Sequence, residues 1–263
     1  YGMDIISVGN TIAMCMEMFE KGYLSDTDIG FPLKFGDPEA MVKLVEMTGT
    51  REGFGNEVAN GGFELSTKYN HPELFVGAKK LEAPAYDPRV CQAQGLNQAT
   101  SARGACHNKG YTMGSEIFGL PSLGGKTDPF ATEGKAQLAK SLQDATCVFD
   151  NTGTCLFLIL GLWAPELHKQ LIPATGIDYS FDEMMQCGER TWMIERMFNI
   201  KAGLTAKDDT LSPRMLNEPM PEGPAKGHVN RLHEMLPEYY KLRGWDEEGK
   251  PTDEKLSELG LEW

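Results

Sequence analysis

Two short stretches of this 263-residue chain bring reactive side chains close together. The first is Asp150-Asn-Thr-Gly-Thr-Cys155, a carboxylate and a thiol on either side of a glycine turn. Asn tolerates unusual backbone angles and Gly takes positive φ at no steric cost. Asp150 and Cys155 are therefore expected to converge on one spot, with backbone N–H groups free to donate. Asp150 could then accept hydrogen bonds from a heterocycle while Cys155 ligates a metal as thiolate. One cysteine cannot hold an iron–sulfur cluster, and no remaining pair in the chain has the spacing to complete one. The plainer alternative is a helix C-terminal turn carrying a buried cysteine.

The second stretch is Arg103-Gly-Ala-Cys-His-Asn-Lys109. His107 has the side chain that exchanges protons near neutral pH, and Arg103 and Lys109 could hold an anion. The competing reading is a solvated loop with an incidental histidine. Cys106 beside His107 is a poor nucleophile–base pair, because adjacent residues on a helix face different ways and no third group orients them. Gly2-Met3-Asp4 reads locally as no more than a helix start with a capping aspartate. The glycine-rich phosphate and dinucleotide loops, H-E-x-x-H, G-x-S-x-G and zinc spacings are all missing from the sequence.

The elements that must position these residues read as helices. Residues 4–21 form a buried amphipathic pattern closed by Gly22, its Met14, Met16 and Met18 serving as core filling. Asp37-Pro38 opens a helix to about Gly49, and shorter ones follow near Phe54–Ala59 and Gly62–Tyr69. An extended piece from Glu73 to Leu81, with a short strand, leads to a junction at residues 82–89. Asp87-Pro88 looks like a further start, for a helix from Arg89 to about Ser101. Residues 110–127 read as loop, and a long helix should run from Asp128 to Phe149. The apolar run Cys155–Trp163 is expected to be buried. Pro165 begins a helix to Ala174, and the capping box Ser180-Phe-Asp-Glu183 begins another to about Lys201. Residues 205–228 should be irregular, before helices near Asn230–Arg243 and Thr252–Leu259. Strand signals are nearly absent. The expectation is an all-α, multihelical protein of two helical domains, residues 1–80 and 81–263.

A net charge of −13 argues against non-specific binding to nucleic acid or anionic membranes, which need a basic footprint. The longest apolar run is about half a membrane span. Tyr1 lies inside an apolar pattern, so it is not expected to be the natural start. The six cysteines are scattered, without a disulfide framework, which suits a reducing cytoplasm. Cys15, Cys147 and Cys187 are expected in the core.

Taken together, several strings resemble the tungsten-dependent aldehyde:ferredoxin oxidoreductase family. They are Leu81-Glu-Ala-Pro-Ala-Tyr-Asp-Pro-Arg89, Gly95-Leu96, Ala99-Thr-Ser-Ala-Arg-Gly-Ala-Cys-His107 and Asp150-x-x-Gly-x-Cys155. Pro221-Glu-Gly-Pro-Ala-Lys-Gly227, Tyr239-Tyr240 and Arg243-Gly-Trp-Asp246 continue the likeness in order over the whole chain. Family members are more than twice as long, with an N-terminal β domain ahead of two helical domains, and this chain looks like the helical pair.

The resemblance implies a tungsten (or molybdenum) bis-pterin and a 4Fe–4S cluster, both expected only in the full-length enzyme. Asp150 to Cys155 matches one pterin motif, with Thr154 where leucine is usual. Tyr1-Gly-Met-Asp4 matches the remainder of the other, with Met3 for leucine. By that match Asp4, Met3, Asp150, Thr154, Cys155 and Lys109 would hold cofactor, Cys155 would be the fourth cluster ligand, and His107 would assist proton movement. The remaining cluster ligands and a glutamate near the metal lie upstream in the family. The implied reaction oxidises a small aldehyde to a carboxylic acid, with ferredoxin as acceptor. The implied partners are the N-terminal cofactor-binding domain and a second copy in a homodimer. The chain alone is expected to be cofactor-free and inactive. Two alternatives stand beside this: a catalytic subunit of an aromatic acyl-CoA reductase, and a cofactor-free helical scaffold.

Overall fold

Asp4 turns the chain into its first helix. Its carboxylate accepts the Ser7 N–H at 2.7 Å, one of the donors every helix start leaves open, and α1 runs Ile5–Glu20. Ile12, Cys15 and the three methionines Met14, Met16 and Met18 are buried, as core filling requires. After α2 (Asp26–Ile29), Asp37 caps the Ala40 N–H at 3.0 Å and α3 spans Pro38–Thr50. The short α4 (Gly55–Val58) and α5 (Gly62–Lys68) complete a core cluster drawn from residues 12–75. This computed structural model describes residues 1–262.

The extended piece becomes a minimal hairpin, β1 (Gly77–Ala78) against β2 (Leu81–Glu82), turned by Lys79 and Lys80 at positive φ. Glu82 is buried and reaches back to the first cluster, accepting the Gly62 N–H at 2.7 Å and the Thr11 hydroxyl at 3.2 Å. Arg214 adds a second tie, with two guanidinium nitrogens on Glu17 of α1 at 2.7 and 2.9 Å.

The next helix, α6 (Gln92–Thr100), begins later than Asp87-Pro88 suggested. Asp87 does not cap it, because its carboxylate is taken by the N–H and guanidinium of Arg89. The segment expected as loop contains α7 (Met113–Glu116) and a 3₁₀ turn at Pro121–Leu123. The long helix α8 is Lys135–Asn151: Asp128 caps only the local Phe130 N–H, and the helix starts after Gly134 at φ +72. It also runs further than expected, so Asp150 lies in its last turn. α9 (Ala164–Thr175) and α10 (Phe181–Lys201) follow, the latter opened by the Ser180/Glu183 capping box. A 3₁₀ turn at Ala206–Asp208 and α11 (Pro213–Asn217) interrupt the irregular segment before α12 (Leu232–Arg243) and α13 (Asp253–Glu258). The fold is all-α and multihelical, and the hairpin is its only sheet among the described residues. No helix among them is long and apolar enough to cross a membrane.

Helix α8 is the axis of the larger part, packed along α10 and flanked by α6 and α12. Gly188 of α10 makes this approach possible, since a Cβ there would lie 2.1 Å from the Asp144 carbonyl oxygen. A buried polar knot ties three helices. Gln143 of α8 donates to Asn97 and Thr100 of α6 at 2.9 and 3.1 Å, and accepts from Tyr239 and Arg243 of α12, both at 2.7 Å. Arg243, fully buried, also pairs with Asp144. Low local dielectric strengthens such a network, provided every member is satisfied.

Two burial expectations fail. The run after Cys155 is a 3₁₀ helix, Leu156–Leu160, in which Ile159 is buried but Phe157 and Leu160 are 72% and 62% exposed. One turn of helix can turn only one side inward, and nothing among the described residues covers the other. Cys187 of α10 is exposed, its sulfur 3.8 Å from the Asn151 amide at the end of α8, whereas Cys15 and Cys147 are buried.

Candidate functional site

Where α6 ends, the chain must reverse closely against the hairpin. Gly104 allows it: φ is +94, and a Cβ would sit 2.3 Å from the Ala78 carbonyl oxygen. Arg103 therefore turns outward beside Cys106, its guanidinium 2.8 Å from the thiol sulfur. His107 is half-buried with its ring tilted on Tyr86, centroids 5.6 Å apart. Burial, and then the charge of Arg103, hold the His107 imidazole below its ordinary pKa, so it favours the neutral form.

Two residues on, Lys109 points the other way and is buried. Its ammonium lies 2.6 Å from Glu195 of α10 and 3.3 Å from Asp150 of α8. Burial would favour the neutral amine, yet its pKa is raised by Cys147, Glu195 and Asp150. Burial pushes the Cys147 thiol up to about 12, so at neutral pH that group is uncharged and the two carboxylates supply the field.

The turn after α8 is locked by its own threonines. The Thr152 and Thr154 hydroxyls donate to the Phe149 carbonyl at 2.8 and 3.2 Å, and Gly153 takes φ +70. The N–H groups of Thr152, Gly153 and Thr154 also bond to α8 carbonyls, so they are not free donors as the sequence suggested. A helix C-terminus leaves carbonyls to satisfy, and the following N–H groups are consumed in doing so. Cys155 emerges beyond the turn with an exposed side chain.

Asp150, Thr154 and Cys155 line a hollow of about 610 Å³ whose other wall carries Tyr86, His107 and Tyr111. Asp4 lies in an adjoining hollow of about 320 Å³, and Arg103, His107 and Asn108 line both. The two carboxylates thus stand on either side of a ridge formed by Arg103 and His107. Met3 lies on the far side of Asp4, in a third depression with Tyr1 and Arg51. Lys109 lines neither of the two joined hollows and holds Asp150 from behind. Sequence reasoning did not single out Tyr86, Tyr111 or Glu195. Tyr86 lay within a distinctive string, but nothing in the spacing of Glu195 points to Lys109.

An exposed thiol, a carboxylate acceptor and a polar wall fit the edge of a polar heterocycle with a metal centre beside it. Among the described residues no group of three or more His, Cys, Asp or Glu is placed to hold a metal ion. Cys155 can therefore supply only one ligand of a larger set.

Comparison with known proteins places this geometry in context. Residues 1–261 match the profile described as aldehyde ferredoxin oxidoreductase, domains 2 and 3. The tungsten-containing aldehyde ferredoxin oxidoreductase of Pyrococcus horikoshii is 48% identical over 268 residues, covering all of this chain and 44% of that protein. The protein of the same description from Thermococcus kodakarensis is 46% identical, covering 99% of this chain and 43% of its own length. The WOR-like subunit of an aliphatic sulfonate oxidoreductase from Pyrococcus furiosus is 26% identical. The chain thus spans less than half the length of the curated relatives it matches. Among solved structures, the active site complex BamBC of benzoyl coenzyme A reductase superposes with a TM-score of 0.76 over 99% of this chain and 44% of that one. At 21% identity this likeness speaks to the fold.

Proposed function

This chain belongs to the aldehyde ferredoxin oxidoreductase family, and from that premise we propose that it forms the helical C-terminal part, residues 1–80 and 81–263 as two domains, of an enzyme oxidising small aldehydes to carboxylic acids. The observation that carries the reading is the ridge at His107, with Asp4 on one side and Asp150, Thr154 and Cys155 on the other. Two like-sided acceptors flanking one proton-exchanging group suit a cofactor with two pterin arms.

In this reading a tungsten or molybdenum bis-pterin supplies the two-electron redox step when bound, and a 4Fe–4S cluster carries the electrons on to ferredoxin. Asp4 and Asp150 would accept hydrogen bonds from the pterin edges, with Met3 and Thr154 beside them. Lys109 holds Asp150 in place. Cys155 would provide one thiolate to the cluster, whose other ligands would have to come from elsewhere in the polypeptide. His107, kept neutral by burial and by Arg103, takes up a proton as water adds to the aldehyde. In balance, aldehyde and water give acid, two electrons and two protons.

The exposed apolar side chains support a covered face. Phe157 and Leu160 stand beside the hollow, while Ile194 and Phe198 lie on the outer side of α10, each at least 51% exposed. Exposed large apolar side chains of this kind are the ones a partner surface covers. We assign this face to the N-terminal cofactor-binding region that full-length relatives have room for. The protein as a whole would work in the cytoplasm, and a homodimer fits this reading.

The test uses the full-length protein. It is expected to contain tungsten or molybdenum, to show a reduced 4Fe–4S signal in electron paramagnetic resonance, and to reduce a viologen dye with aldehyde. Cys155→Ser should lose the cluster signal while retaining helical circular dichroism. The isolated chain should fold without metal or activity. A metal-loaded wild type that reduces aromatic acyl-CoA esters but ignores aldehydes would move the assignment to the acyl-CoA reductases. A full-length protein that takes up neither metal nor iron would leave only a scaffold.

A further inference from the structure

Helix α6 is buried all round, yet five of its nine residues are polar: Gln92, Gln94, Asn97, Gln98 and Thr100. Most find partners. Gln92 donates to Val229, Asn97 belongs to the knot with Gln143, and Thr100 bonds to Leu96. One face does not. Both amide atoms of Gln98, Nε2 of Gln94 and Oγ of Ser101 are buried without a partner among the described residues. These residues are spaced i, i+4 and i+7, which puts them on one side of the helix.

Their surroundings follow from the neighbours on either flank. At about 100° per residue the order around α6 is Asn97, Ser101, Gln94, Gln98, Cys91. Asn97 touches the carbonyl of Cys106, and Thr112 donates to Gln94 Oε1 at 2.8 Å. On the other flank the Cys91 thiol meets the Asp87 carbonyl. Segment 106–112 therefore borders the unpartnered face on one flank, while segment 86–91 meets the helix at its N-terminal end. Those segments meet where Tyr86 lies against His107 and beside Tyr111, and these three residues line the larger hollow.

A buried primary amide with both ends unmet is costly, because each stranded group has given up its water without a replacement. Native interiors meet such groups with ordered water, which needs a polar site and two to four partners. The geometry points to a buried hydration site on this face of α6, in which ordered water is held by Gln94, Gln98 and Ser101. This inference stands on the protein's own polar groups and holds whatever the hollow binds.

The direct test is a high-resolution crystal structure of the full-length protein. Ordered waters within hydrogen-bond distance of the Gln98 amide are expected. A dry seam, or a Gln98 amide bonded wholly to protein groups, overturns the proposal. A thermal test has an opposite sign for the two cases. Gln98→Met is near in shape and cannot hold water. If the site is hydrated, the variant strands the remaining polar groups and lowers the unfolding midpoint by about 2–4 °C. If the site is dry, it removes two unmet atoms, and an unchanged or raised midpoint rejects the hydration site. Ser101→Ala applies the same sign test with a smaller change should Gln98→Met fail to fold.

Discussion

Lys109 stands 3.3 Å from Asp150, joining the segment that carries His107 to the last turn of α8. A carboxylate at a helix C-terminus opposes the macrodipole, at a cost of about 0.3–1 kcal/mol, so Asp150 needs this cation. Glu195 completes the pair at 2.6 Å and anchors the ammonium to α10. Lys109→Met leaves two carboxylates facing each other without a counter-charge. Both are partly solvated, so the loss should fall below that of a fully buried pair, at about 1–3 kcal/mol by urea unfolding. Lys109→Arg should recover most of it. A Lys109→Met protein as stable as wild type would mean that Asp150 is placed by its helix alone.

Arg243 presents the opposite extreme, a guanidinium with no exposure at all. It serves Asp144, Gln143 and Tyr239, and its removal strands a buried carboxylate while opening a cavity between α8 and α12. Arg243→Met should cost about 3–5 kcal/mol, and Arg243→Lys should recover little, because an ammonium cannot span three acceptors in one plane. Equilibrium unfolding of both variants provides the measurement.

The Glu17–Arg214 contact joins the first core cluster to the rest of the protein, and its pH dependence has a definite sign. Burial works to raise the Glu17 carboxyl, but the hydrogen bonds from Arg214 and Lys21 outweigh it and hold the group below its reference value of 4.5. A depressed carboxyl contributes its full stability above the unfolded value and loses it as pH falls through the folded one. Wild type should therefore lose stability below about pH 4.5 more steeply than Glu17→Gln. The two denaturation midpoints should converge as pH falls through the lowered Glu17 value. Parallel curves would show that the contact does not discriminate protonation states.

His107 titrates in the other direction. Burial and Arg103 disfavour its cation, so the imidazole stays neutral below its usual value of 6.5. Replacing Arg103 with Gln removes a like charge and should move the midpoint upward, toward 6.5. The rate of carbethoxylation at His107, followed by mass spectrometry across pH, reads that midpoint. No upward movement would mean that burial alone sets it.

Helices announced themselves where local chemistry decides them. Asp4, Asp37-Pro38 and the Ser180/Glu183 box mark starts that the structure keeps, because a cap is a contact between near neighbours in sequence. Asp87 and Asp128 carry the same signal and mislead, since one carboxylate is claimed by Arg89 and the other caps a single turn. The run after Cys155 reads as core by composition, but whether an apolar run is covered depends on what packs over it. Asp150, Cys155 and His107 could be named from their motifs. The Lys109–Glu195 pair, the ridge shared by two hollows and the unmet face of α6 all depend on contacts between distant segments, which periodicity cannot report.

Gly104 is where fold and site are most tightly joined. A methyl group at this position would lie 2.3 Å from a backbone oxygen of the hairpin, and the residue holds φ +94, so both space and backbone oppose any side chain. The hairpin cannot give way easily, because Glu82 ties it to α5 and Lys79 pairs with buried Asp209 on its other side. The strain should therefore move residues 103–107 rather than the hairpin, shifting Arg103 and His107 together. Gly104→Ala is expected to cost more than about 2 kcal/mol and to raise the reactivity of His107 toward carbethoxylation as the ridge lifts. Gly153→Ala is the control: its φ is +70 but a Cβ meets nothing within 4 Å. It should cost only the backbone term, about 1 kcal/mol, and leave His107 unchanged. Equal costs for the two variants would show that the close approach at Ala78 does not hold the ridge in place.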